Sequence, residues 1–267
     1  MVYLLNADID AGTKVVFPVE NKSDLEVIEQ KIESKNTQIV HGNNSSVPEI
    51  KNFIRDIDKL YTQYKNLGYT STIGTGVDLS TPHFEKRYAI LTGDVLTAND
   101  HCQLLARYRP DVETSIYIDD TIQTLEIDAD QILAKLAQKN TESGKLMATN
   151  INYLIQEGLY PAPNGEIRDE DRAYLKLWAT LKARRNASLA NPKQTLCDRL
   201  RESGYTLEIL EDSKTEETEN IEQNHKDAKK ENRELEDEAI ASTEVCFCQS
   251  KNYKKYKNSP PSAVGHL

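Results

Sequence analysis

What the chain has little of narrows it first. Cysteine occurs four times in 267 residues. Cys102, Cys197, Cys246 and Cys248 show neither a disulfide framework nor zinc spacing beyond the close Cys246-Phe247-Cys248 pair, so free thiols in a reducing compartment are expected. His41, His83, His101, His225 and His266 form no spaced pair, which leaves a histidine-based metal or nucleophile site without support. No apolar run approaches the roughly 18–20 residues of a membrane helix, and no basic-then-apolar leader precedes the first core-like segment. Basic charge is in deficit: 33 Lys and Arg against 43 Asp and Glu give a net charge of -10 and a pI near 5.1. That is the wrong sign for a general nucleic-acid binder. There is no GxSxG, P-loop or GxGxxG, so serine-hydrolase, P-loop NTPase and dinucleotide-binding readings lack their motifs.

What is present is organised around the first thirteen residues. Val2-Tyr3-Leu4-Leu5 reads as a short strand buried on both faces. Asp8 and Asp10 follow, and two residues apart on an extended backbone they point the same way. Gly12 and Thr13 come next. Two close carboxylates repel, so such a strand end requires a divalent cation or a shared proton. A second apolar run, Ile116-Tyr117-Ile118, ends in Asp119-Asp120. Side by side, the two strand ends would form a four-carboxylate metal site.

The intervening residues supply an α/β rhythm. Lys14 to Val19 is β-prone and is expected as a small flap hairpin. Ser23-Asp24-Leu25-Glu26 fits a capping box, and so does Ser46-Val47-Pro48-Glu49. The latter opens a one-faced helix carrying Ile50, Phe53, Ile54, Ile57, Leu60, Tyr61 and Tyr64. Gly68 is expected to stop that helix, and 69–76 to form a strand entering a glycine turn. Tyr88 to Leu91 is another strand, ending in Thr92-Gly93-Asp94, and a helix over 98–108 precedes Ser115 to Ile118. The expected fold is therefore α/β, a mostly parallel Rossmann-like sheet with helices on both faces, which binds ligands outside the carboxyl ends of its strands.

Helices are expected around Ile127–Leu136, Leu146–Ile155 and Tyr174–Leu181, and from Asn191-Pro192 to Gly204, before a last strand, Tyr205 to Leu210. Between Glu211 and Glu238 stand 12 acidic and 5 basic residues, expected to be disordered or a single solvated helix. The end is basic, with Lys251, Lys254, Lys255 and Lys257 around Tyr253 and Tyr256. The expected organisation is a core over 1–140, a helical extension over 141–210 packed on it, and a charged tail over 211–267.

The combination of Asp8-Ile9-Asp10-Ala11-Gly12-Thr13, later strands ending in Thr, and Tyr117-Ile118-Asp119-Asp120 resembles the haloacid-dehalogenase-like (HAD) phosphohydrolases over roughly 1–140. The resemblance implies a phosphoaspartate mechanism with Mg²⁺ and a phosphorylated substrate, small molecule or protein. Asp8 would be the nucleophile and Asp10 the acid and base. Asp8, Asp10 and Asp119 or Asp120 would hold the metal, and Thr13, Thr72, Thr75 and Thr92 are the candidates for phosphoryl binding. Two departures stand out. Ala11 shifts Gly12 and Thr13 by one position, and the helix over 98–108 begins with Thr97-Ala98-Asn99-Asp100-His101, without the family's lysine. The rival expectation is a HAD-like interaction protein that has lost catalysis and docks a partner through its tail. Such a protein would act in the cytoplasm or as a bacterial effector delivered to a host cell without a classical leader. The acids of Tyr117-Ile118-Asp119-Asp120 also resemble the YxDD hairpin of reverse transcriptases, a reading the acidic pI disfavours.

Overall fold

Val2–Asp10 is a helix, α1, and not a strand. Four apolar residues in a row fit either structure, and the spacing beyond them decides. Leu5 and Ile9, one helical turn apart, are buried, whereas Tyr3 and Leu4 are exposed. The computed structural model describes residues 1–32, 36–74, 76–119, 121–136, 169–210 and 216–242. The helix expected at Leu146–Ile155, both Thr75 and Asp120, the Cys246-Phe247-Cys248 pair and the basic end lie outside the described residues.

Ala11-Gly12-Thr13 ends α1 as a helix stop. The Gly12 N–H bonds the Ile9 carbonyl, the Thr13 N–H bonds the Asp8 carbonyl, and Gly12 has φ +86°. This is the paired closure of a glycine-terminated helix. The chain then enters β1, Val15–Pro18. The stretch expected as a flap is thus the central strand of the sheet. α2 (Lys22–Lys31), β2 (Thr37–Val40), α3 (Pro48–Arg55), α4 (Ile57–Leu60) and a 3₁₀ turn at Tyr61–Gln63 follow. β3 is Asn66–Tyr69, β4 Lys86–Leu91, α5 Ala98–Leu105 and β5 Glu113–Ile118.

The five strands run parallel in the order β2-β3-β1-β4-β5. Side chains alternate between two cores, as a pleated strand requires. Val15, Phe17 and Val19 of the β1 segment pack with Leu5 and Ile9 of α1 and Leu25 and Ile28 of α2. Val16 faces the opposite core, with Phe53, Ile57, Leu104 and Leu105 from α3, α4 and α5. Gly68 does not stop a helix. It sits within β3 opposite Phe17, where a Cβ would lie 2.3 Å from the Phe17 ring.

Residues 129–136 are helical, as expected, with Ile132 packed against Ala179 and Ala183, and two further described helices follow. α6 spans Asp169–Ala190 and α7 Pro192–Glu202, and Leu196 and Leu200 of α7 enter the same core as Leu104 and Leu105. Met1–Asp212 is one compact unit, and α6 and α7 of the expected extension belong to it. Tyr205 to Leu210 forms no strand. The second unit, Ser213–Leu267, contains α8, Glu216–Ser242, a solvated helix with a Lys230–Glu234 pair one turn apart at 3.6 Å. No described helix is long and apolar enough to cross a membrane.

Candidate functional site at the carboxyl edge of the sheet

The chain leaves β1 for α2 on one face, and it leaves β3 and β4 for the opposite face. The carboxyl end of β1 is therefore a topological switch point, where open parallel sheets form a crevice for ligands.

Polar side chains join three loops along this edge, and a fourth lies against them. Asn21, which follows β1, occupies the N-cap position of α2 but does not cap it with its side chain. Its Nδ2 instead donates to Thr92 Oγ1 after β4, at 3.0 Å. Next to it, Lys22 Nζ donates to Asn43 Oδ1 after β2 at 3.0 Å, and Asn43 Nδ2 donates to Glu26 Oε1 at 2.8 Å. Gly42 stands close to Thr72, which follows β3 and accepts a hydrogen bond from the Thr70 hydroxyl at 2.9 Å. Thr92, Asn21, Lys22 and Asn43 thus line a rim with one lysine and the start of a ten-residue helix, and Thr72 lies beside Gly42 at its β2 end. Helix dipole, ammonium and hydroxyl donors all favour an anion there.

Beneath the rim lies a buried ion. Glu20 closes β1 with its side chain fully buried, and its carboxylate accepts four backbone N–H groups and the Nε2 of His101 at 2.9 Å. Burial pushes the Glu20 carboxyl up, but the hydrogen bonds from His101, Leu96 and Gly93 outweigh it and hold the group down at about 2. No sequence motif marked this pair, which is brought together across 81 positions. Asn21 and Lys22 did carry a signal, as polar residues that follow a strand and open a helix. It was obscured because β1 read as a flap.

The sequence-derived residues fall at opposite ends of the sheet. Thr72, Thr92 and Asp119 are at the carboxyl edge, Asp119 donating its N–H to the Leu91 carbonyl. Asp8, Asp10 and Thr13 are at the amino edge. Asp8 accepts from the Tyr88 hydroxyl and from Lys86 Nζ, the latter at 3.0 Å, where β4 begins. Those two hydrogen bonds, Tyr88 first, lower its carboxyl pKa, and burial with the Asp8 contact raises that of Tyr88. The length of β4, about 16 Å at strand rise, separates this clasp from Asp119. Asp8 and Asp10 also lie in the last helical turn and not on an extended end, so two positions apart they no longer share a direction. Asp119 accepts from the Thr121 N–H and hydroxyl at 2.9 and 2.6 Å, a local turn. Among the described residues no cluster of three or more His, Cys, Asp or Glu side chains could hold a metal. The four-carboxylate Mg²⁺ set is not assembled from Asp8, Asp10 and Asp119.

No protein-family model matches the chain, and no curated protein matches it. Among solved structures it is similar to a DUF1998 helicase, MrfA, bound to DNA, with 12% identity and a TM-score of 0.33. The match covers 79% of this chain and 26% of that one, so the chain spans about a quarter of that protein. A likeness of that size assigns neither a family nor an activity.

Proposed function

We propose that the protein binds a phosphorylated ligand at the carboxyl-edge rim, with Lys22, Asn21, Thr92 and Thr72 as the groups that meet the phosphoryl oxygens. One observation carries this reading. At the switch point, α2 begins without a side-chain cap, because its N-cap Asn21 is committed to Thr92. A helix start beside an ammonium and two strand-end hydroxyls is a donor set for phosphate. The arrangement supports binding more than phosphoaspartate turnover, since Asp8 is held by Lys86 and Tyr88 at the other end of the sheet. Mg²⁺ enters this reading with the ligand, because magnesium is commonly held by one or two carboxylates together with phosphate oxygens. Asp119, level with Thr92 beyond the Leu91–Ile118 pair, is the carboxylate we assign to it. A protein partner, if the phosphate is borne by one, has the exposed length of α8 as a second place to dock.

Calorimetric titration of the full chain with inorganic phosphate, pyrophosphate and ADP, with and without Mg²⁺, tests the proposal. Saturable binding is expected, weakened roughly tenfold by Lys22→Ala or Thr92→Val, or about 1.4 kcal/mol, and unchanged by Asp8→Asn. Absence of saturable binding to all three overturns it. So does Mg²⁺-dependent phosphate-monoester hydrolysis that Asp8→Asn abolishes, which would restore the phosphoaspartate mechanism.

A further inference from the structure

The loop that delivers Thr92 to the rim is wrapped around an anion supplied by the chain itself. Glu20 Oε2 accepts from the Thr92 N–H at 2.7 Å and the Gly93 N–H at 2.8 Å. Oε1 accepts from the Val95 N–H at 3.1 Å and the Leu96 N–H at 2.8 Å. Only Asp94 is skipped. Successive backbone N–H groups turned to one point form an anion-binding concavity, the device by which many proteins hold phosphate. Gly93, at φ +70°, provides the backbone turn. His101 completes the cradle with its side chain 1% exposed. Its Nε2 faces Glu20, and its Nδ1 is buried with no partner among the described residues.

The same loop is closed from outside by the two C-terminal helices of the unit. Arg185 of α6 donates to the Val95 carbonyl at 2.7 Å, Ser188 accepts from the Ala98 N–H at 2.9 Å, and Pro192 of α7 packs where a Gly93 side chain would be. Bulk water does not reach the carboxylate.

We infer that Glu20 is a built-in anion that fills an oxyanion cradle over Thr92–Leu96 and thereby sets Thr92, and through it Asn21, in their places on the rim. It is a positioning residue that does not touch the ligand. The inference rests on the phosphoryl-ligand reading of the rim. Removing the carboxylate leaves a cavity of the right chemistry for a small oxyanion.

Formate is the probe, on the full chain, with amide NMR and phosphate titration read in parallel. In the wild type, the four amides of Thr92, Gly93, Val95 and Leu96 are expected downfield and slow to exchange. In Glu20→Ala they lose both signatures, and phosphate affinity falls at least tenfold. Formate restores the amides and the affinity, and chloride at equal ionic strength does not. Glu20→Gln, which fills the space but turns N–H toward N–H, gains nothing from formate. If Glu20→Ala folds only when formate is added, that is the same result. If it folds in neither salt, keeps all four amide signatures, or ignores formate when folded, the inference fails. A wild type that binds no phosphate overturns the rim reading, while the amides alone still decide whether the cradle is a formate-accepting anion site.

Discussion

Glu20 carries a pH dependence whose sign follows from its hydrogen bonds. Its carboxyl is held at about 2 in the folded protein against an ordinary 4.5, so the folded state binds the proton more weakly than the unfolded chain does. The stabilisation, about 3 kcal/mol by linkage, is fully present above pH ~4.5 and is lost as the pH falls toward 2. Chemical denaturation between pH 7 and 2.5 is expected to show that loss in the wild type and a flatter profile in Glu20→Gln. Equal slopes would refute the assignment. At this scale the sequence was only partly legible. Thr72 and Thr92 could be placed because a hydroxyl after an apolar run is a local signal. Glu20 and His101 could not, because each is an ordinary polar residue until the fold removes the water around both. Asp8 and Asp10 misled because their meaning depended on whether the backbone before them was extended.

Among the elements, the fit between the β4–α5 loop and α7 is the most demanding. A side chain at Gly93 would meet Pro192 at 2.3 Å, and the backbone there has φ +70°. Gly93→Ala is therefore expected to cost about 3 kcal/mol, from left-handed strain and overpacking together. The loss should appear as a lower denaturation midpoint with an unchanged m-value. An alanine tolerated within about 0.5 kcal/mol would show that α7 does not close on the loop. β4, α5 and β5 were readable because their apolar runs are bounded by turn residues and one helix. β1 was not, since its four residues lie between Lys14 and Val19 and offer no period to count. The capping boxes at Ser23 and Ser46 also misplaced two helix starts. α2 and α3 begin after Asn21 and Val47, whereas the box that forms is Thr97 with Asp100. Local pattern proposes a cap, and the strand that feeds the helix decides where it starts.

For the whole molecule, the division at Asp212 makes a direct prediction. A chain ending at Asp212 is expected to keep its thermal midpoint within about 2 °C of the full protein, because the described side chains of α8 are largely exposed to water. A drop of 8 °C or more would mean that the second unit contributes to the first. The parallel sheet and its two-sided helices were legible from the alternation of segments. The strand order was not, because nothing local records which strand will lie between which neighbours.

That order has a consequence for how the chain is made. Val15 pairs with Asn66, 51 residues later, and with Lys86 beyond that. The central strand thus leaves the ribosome before either of its neighbours exists. At roughly 5–20 residues per second, Val15-Val16-Phe17 stays unpartnered for seconds, a window in which a nascent-chain chaperone, or α1 and α2 folded over one side of it, would have to keep it from sticking to other chains.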